Sequence, residues 1–185
     1  AAAPVSAGDV RLVYVDEQLL VVQKPAGVTT LRHREETDLP ERRKQLQPTL
    51  DELVQQALAA HLGIQLTRDE QTGRRSRGKQ RVDPRLAIRP VHRLDRDTSG
   101  LMLFARTPLA EQKLIRMFAR HDVQRTYVAV VPGRVEAQVI DTWLVRDRGD
   151  GLRGSLATPP TGEEQKAAAR HAVTHVRPLE HLANF

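Results

Sequence analysis

Residues 91–105 read Val-His-Arg-Leu-Asp-Arg-Asp-Thr-Ser-Gly-Leu-Met-Leu-Phe-Ala. One carboxylate, Asp95, stands inside a short cationic segment made by His92, Arg93 and Arg96. The next four residues, Asp97-Thr98-Ser99-Gly100, are turn formers: Asp, Thr and Ser side chains bond to nearby main chain, and Gly reaches conformations closed to other residues. An apolar run then fills 101–105 and predicts a buried strand. A reactive group on a sharp turn, backed by a buried strand, is the order a catalytic site needs. A solvated ion pair on a surface loop would use the same residues, so the flanking chain has to decide between the two.

Toward the N-terminus, residues 10–15 and 19–24 are apolar and β-branched, with Asp16-Glu17-Gln18 between them, and predict two short strands joined by a turn. Pro25-Ala26-Gly27 stops the second strand, Pro25 by fixing φ and Gly27 by relieving a tight bend. Lys24 before them reads either as a charge near a binding cleft or as part of a structural turn. Toward the C-terminus, Thr107-Pro108 offers an N-cap with Pro at the first helical position, and Glu111 lies in the first turn. A helix over 108–120 would carry Ala110, Leu114, Met117 and Phe118 on its apolar face and Lys113, Arg116 and Arg120 on the rest. Residues 125–131 alternate and end at Pro132-Gly133, which predicts a further strand.

His92-Arg93-Leu94-Asp95, two residues, and then Thr98-Ser99-Gly100 before an apolar strand resemble the signature of the RluA-type pseudouridine synthases. Two more pieces share the likeness. Residues 13–27, VYVDEQLLVVQKPAG, are similar to that family's acidic turn, hydrophobic strand and Lys-Pro-Ala-Gly. Arg125-Thr126-Tyr127-Val128-Ala129-Val130-Val131 resembles its basic residue, any residue, then Tyr-x-Ala-x-Val.

The resemblance implies an α+β fold, a mixed and largely antiparallel sheet with flanking helices around a central cleft. It implies that Asp95 is the catalytic residue and that Tyr127 lies against the target base; the other reading of Tyr127 is a buried strand tyrosine. Arg93 and His92 would sit at the substrate, Arg93 filling the place the base vacates or holding its phosphate; the other reading of Arg93 is a structural ion pair. The implied reaction breaks the N1–C1′ bond of a uridine in RNA, turns the base and rejoins it through C5. It needs no cofactor, because the same atoms are returned, but it needs a carboxylate beside C1′ as nucleophile or as base. Nearby cations would keep that carboxylate ionised, and an apolar or aromatic wall would receive the unstacked uridine.

Charge and composition agree with an RNA partner, rRNA or tRNA. The formal net charge is +6, and of the 29 basic residues 24 are Arg and 5 Lys, a balance that suits phosphate and base stacking. The same balance also follows from codon usage in a GC-rich genome, so charge alone does not require RNA. Only 3% of residues are aromatic against 39% hydrophobic, so the core must rest on Leu, Val, Ile and Ala. With no Cys, disulfides and thiolate metal sites are excluded. No apolar run approaches the roughly 20 residues of a membrane span, and the first residues lack the pattern of a signal peptide. These features lead us to expect a cytoplasmic monomer without membrane or metal.

Two stretches stand apart as polar insertions, about 32–48 and 65–89. The second is basic, with Arg74, Arg75, Arg77, Lys79, Arg85 and Arg89, and is placed to track a phosphate backbone ahead of the catalytic turn; Arg96 and Lys24 are further candidates for RNA contact. Between them Thr49-Leu50-Asp51-Glu52 forms a capping box, and Leu50, Leu53, Val54, Ala57, Leu58 and Leu62 give a helical face that Gly63 ends. Strand-like pieces at 139–145 and 171–176 flank a Gly-rich turn, and His171 and His175 read as ordinary strand histidines.

One family motif has no counterpart. The resemblance leads us to expect, near the C-terminus, Gly, then Arg or Lys, then a His-Gln-Leu/Ile-Arg-like run whose basic residue pairs with the catalytic Asp. Nothing after residue 134 matches it, and Thr72-Gly73-Arg74-Arg75 precedes the catalytic turn and is a decoy. The expectation is therefore one catalytic domain over 1–185, incomplete at its C-terminus, without a separate N-terminal RNA-binding domain, and weakly active or inactive alone. A non-catalytic RNA-binding protein on the same scaffold is the competing reading; a carboxylate glycosidase would want a second acid, and Asp97 is read as a backbone cap instead.

Overall fold

The computed structural model of the chain describes residues 5–32, 48–66, 83–145, 154–159, 161 and 169–182. The chain divides into two compact units, residues 1–125 and 126–185.

In the first unit β1 (Arg11–Val15) and β2 (Leu19–Lys24) form a hairpin. Asp16 closes it: its carboxylate accepts the N–H groups of Gln18 and Leu19, both at 2.7 Å. Downstream come α1 (Leu50–Leu62), β3 (Arg89–Pro90), β4 (Gly100–Ala105) and α2 (Pro108–Ala119). The four strands make one antiparallel sheet in the order β1-β2-β4-β3. Its centre is the β2–β4 ladder, running from Leu19 opposite Ala105 to Lys24 opposite Gly100. Strand alternation puts Leu20, Val22 and Lys24 on one face, with Phe104 and Met102 across from the first two, and all five are sealed from solvent.

Helix α1 packs Leu50, Leu53, Val54, Leu58 and Ala59 into the same core. Its first turn is held twice: Glu52 accepts the Thr49 N–H at 3.1 Å and Arg32 at 2.8 Å, and the Leu50 N–H donates to the Thr29 carbonyl at 2.8 Å. Gly63, at φ +67°, ends the helix in the left-handed conformation that the sequence predicts for it. Two residues expected on the buried face, Ala57 and Leu62, are half-buried and exposed, and Ala59 takes their place.

Helix α2 begins where expected, with the Thr107 hydroxyl accepting the Ala110 N–H at 3.2 Å. It buries no residue fully. Met117, expected on the apolar face, is exposed, because turning Phe118 inward carries its neighbour about 100° round the helix.

The second unit contains β5 (Gln138–Val145), β6 (Gly154–Leu156) and β7 (Arg170–Val176), antiparallel in the order β6-β5-β7. His171 bonds to Asp141 at 2.6 Å and tilts against Trp143, as a strand histidine would. The strand predicted over 125–131 does not form a ladder with any described residue, and Val128 and Val130 are about four-fifths exposed. Alternation makes a segment fit for a sheet, but a strand exists only where a neighbouring chain receives its N–H and C=O groups. The α+β class expected from the sequence holds, with helices and antiparallel sheets. Among the described residues no helix is long and apolar enough to cross a membrane, and no group of three or more His, Asp or Glu could hold a metal ion.

Candidate active site

The turn that carries Asp95 is held from below by the segment 24–30. The Lys24 ammonium has three protons to donate, and it donates them to three main-chain carbonyls: Arg96 and Thr98 at 2.8 Å each and Pro25 at 3.1 Å. The Gly27 N–H donates to the Arg96 carbonyl at 2.9 Å, and the Arg96 Nε returns a bond to the Gly27 carbonyl at 3.2 Å. Gly27 makes this exchange at φ +84°, where a side chain is strained. Thr30 completes the set: its hydroxyl, 2% exposed, donates to the Leu94 carbonyl at 2.7 Å. Within the turn itself the Thr98 N–H donates to the Asp95 carbonyl at 3.2 Å.

These bonds sort the side chains of 92–99. Leu94 drops into the core and lies against Gly100, which starts β4 at φ +142°. Arg93, Asp95, Asp97 and Ser99 are exposed. Neither the Asp95 nor the Asp97 carboxylate accepts a hydrogen bond from a described residue, so Asp97 does not cap the turn as expected; the Thr98 N–H goes to a carbonyl instead. Both carboxylates act on Lys24 through space. Burial pulls the Lys24 pKa below its ordinary value, and the charges of Asp97 and then Asp95 push it back up.

The expected site residues divide accordingly. Lys24, a candidate for RNA contact, is fully buried with its ammonium spent on carbonyls, so it has no surface for a phosphate; the structural alternative is the one realised. Arg96 is exposed but commits its Nε to Gly27. Arg93 is exposed and has no ion pair among the described residues, which leaves its guanidinium available. His92 is half-buried: its Nε2 accepts the Leu103 N–H at 3.0 Å and its ring stacks on Phe118 at 4.6 Å. Tyr127 belongs to the second unit and is 62% exposed.

Of the basic insertion, Arg85 pairs with Asp83 at 2.6 Å and Arg89 with Glu111 at 3.4 Å. Arg74, Arg75, Arg77 and Lys79 lie outside the described residues. The residue that sequence reasoning missed is Thr30. Its only signal is one of two adjacent hydroxyls, Thr29 and Thr30, between Val28 and Leu31, and its partner is 64 residues away.

The family described as RNA pseudouridylate synthase matches residues 18–184. A tRNA pseudouridine synthase C of Vibrio cholerae is 30% identical over 168 residues, covering 91% of this chain and 53% of that protein. A ribosomal large subunit pseudouridine synthase D of the same species is 40% identical over 100 residues, 54% of this chain and 28% of that one. Among solved structures, human RNA pseudouridylate synthase domain containing 4 overlays with a TM-score of 0.49 at 18% identity, covering 89% of this chain and 51% of that chain. The chain spans about half the length of the curated relatives that match most of it.

Proposed function

The chain belongs to the RNA pseudouridylate synthase family, and on that footing we propose that it isomerises uridine to pseudouridine within structured RNA, rRNA or tRNA, with Asp95 as its catalytic carboxylate. The observation that carries this reading is the exposed Asp95 side chain on a turn whose neighbouring carbonyls, those of Leu94, Arg96 and Thr98, are each held from segment 24–30. A carboxylate that must meet C1′ gains most from a backbone already in place, because no ordering cost is left for the reaction step.

Asp95 acts at C1′, either by attacking it as the N1 bond breaks or by taking a sugar proton. The base then turns and C5 bonds to C1′ as the carboxylate leaves it or, on the other route, as the sugar proton is returned; C5 loses its proton and N1 gains one, so Asp95 is regenerated and the atoms balance. Arg93 holds the flanking phosphate or fills the vacated stack, and Tyr127 supplies the surface for the flipped base. The cationic stretch with Arg74, Arg75, Arg77 and Lys79 tracks the RNA backbone, giving affinity that falls with salt. Both units serve one catalytic domain. The protein works as a cytoplasmic monomer, and the isomerisation draws on no cofactor because nothing is oxidised or reduced.

Mass-spectrometric mapping of pseudouridine in cells lacking the gene tests the assignment. Complementation with the wild-type gene is expected to restore the lost sites. The Asp95→Asn gene is expected to restore none, and in tritium release from uridine-labelled RNA the variant falls by about a thousandfold or more while its salt-dependent RNA binding stays near wild type. Unchanged pseudouridine maps in the deletion strain, or full complementation by Asp95→Asn, would overturn it.

A further inference from the structure

Ahead of the catalytic turn the chain leaves the sheet in an unusual way. Strand β3 pairs with β4 for two residues only, Arg89 opposite Ala105 and Pro90 opposite Phe104. Continuing that antiparallel register would bring residue 91 opposite Leu103. The main chain departs instead, and the N–H of Leu103 is taken by the His92 imidazole, Nε2 to N at 3.0 Å. The ring fills the gap between the departing chain and β4, so the N–H stays paired while the backbone moves away from the sheet. The other face of this arrangement is fixed by Phe118 of α2, stacked on the imidazole with centroids 4.6 Å apart and planes 26° apart.

We propose that His92 is a positioning residue for Asp95: a neutral imidazole that replaces a missing strand residue, ties the entry of the turn to β4 and α2, and so directs residues 93–99 away from the sheet. It acts through the backbone and not on the RNA, and its link to turnover rests on the isomerase reading above. The segment 24–30 holds the turn at Leu94, Arg96 and Thr98, all at or beyond the residue before Asp95. His92 supplies the hold on the entry side.

The role requires an unprotonated Nε2, since a protonated imidazole has two donors and no acceptor. Among the described residues, the groups facing the ring are the neutral Leu103 and Phe118 and, as the charged one, Arg125, which follows α2. Burial first and Arg125 second hold the His92 pKa below its ordinary value, so the acceptor form persists through neutral pH. Gln is the conservative substitute: its amide oxygen can accept from Leu103 but carries no titrating proton. Leu keeps bulk against Phe118 and loses the acceptor.

The test follows the amide signals of Leu103 and Asp95 by NMR as pH is lowered, in the wild-type chain, His92→Gln and His92→Leu. In the wild type both signals are expected to move together, with a midpoint below 6.5, the usual imidazole value. His92→Gln should hold both near their neutral-pH positions throughout, and His92→Leu should shift both at every pH. Tritium release adds the second readout: His92→Leu is expected to lose about tenfold in kcat with little change in KM, and His92→Gln to recover most of that rate and flatten the acid limb of the pH profile. A Leu103 amide indifferent to pH and to His92→Leu overturns the contact. A loss confined to KM, or one that Gln does not recover, overturns the positioning role. The wild-type titration needs no variant to fold. Tritium release is read on the gene product that complements the deletion strain, and its failure there counts against the isomerase reading alone, because the Asp95 amide still reports whether His92 positions the turn.

Discussion

The four-stranded sheet of residues 1–125 closes over a core, whereas the three-stranded sheet of residues 126–185 leaves apolar side chains in solvent on both faces. In the first, Leu20, Val22, Met102 and Phe104 meet α1 through Leu50, Val54 and Leu58 with no solvent access. In the second, Val139 and Val173 on one face and Ile140 and Leu144 on the other are two-fifths or more exposed, and Val145 is the buried one among the described residues. Both sheets are built from antiparallel ladders. The difference shows that ladder pairing supplies a sheet's hydrogen bonds but not its hydrophobic burial, and the turn that carries Asp95 lies in the unit that has both.

The largest expected break is at the centre of the first core. Phe104→Ala should cost about 4 kcal/mol in urea unfolding, since a large side chain at 0% exposure leaves a cavity behind. Next comes Lys24→Met, which removes the donor to three carbonyls at a sealed position. A loss of about 3 kcal/mol is expected, and hydrogen exchange should show the amides of residues 95–98 losing protection before those of β2. If Lys24→Met proved as mild as a surface change, the hold on the turn would not depend on the ammonium.

A smaller effect is set by pH. Because the folded His92 pKa is lowered, the unfolded chain takes a proton first as pH falls. The stability His92 contributes is therefore complete above about 6.5, the unfolded value, and lost as pH drops through the lower folded one. Comparing urea midpoints of wild type and His92→Gln from pH 7.5 to 5 should show the wild type declining more steeply. Smallest of all, Val139→Ala in β5 should change stability by less than about 0.5 kcal/mol, and a loss comparable to that of Phe104→Ala would mean that the second sheet is covered after all.

The same contrast marks what could be read from the sequence. β2, β4 and both helices were legible, because their signals are local: alternation, the Thr49 and Thr107 starts, the Gly63 stop. The likeness to the family located the Asp95 turn and the Lys24 segment separately. It did not show that one clasps the other, since Lys24 and Thr30 reach carbonyls 64 to 74 residues away and a carbonyl leaves no mark in a sequence. Arg96 illustrates the same limit, its charge suggesting RNA while its Nε lies on Gly27. The predicted strand at 125–131 failed for the converse reason, having a legible pattern and no described partner.

The clasp grips oxygens of the main chain, those of Leu94, Arg96 and Thr98, and no side chain of the turn apart from the returning Arg96. Every amino acid carries that oxygen. The path of the turn is thus set whatever residues 93 and 99 display, much as a socket is indifferent to the bit it holds, while Asp95 and Asp97 bear on it through their charge on Lys24. An Asn at 95 should ride on the same backbone as the Asp, and positions 93 and 99 are free to be exchanged without rebuilding the part beneath them.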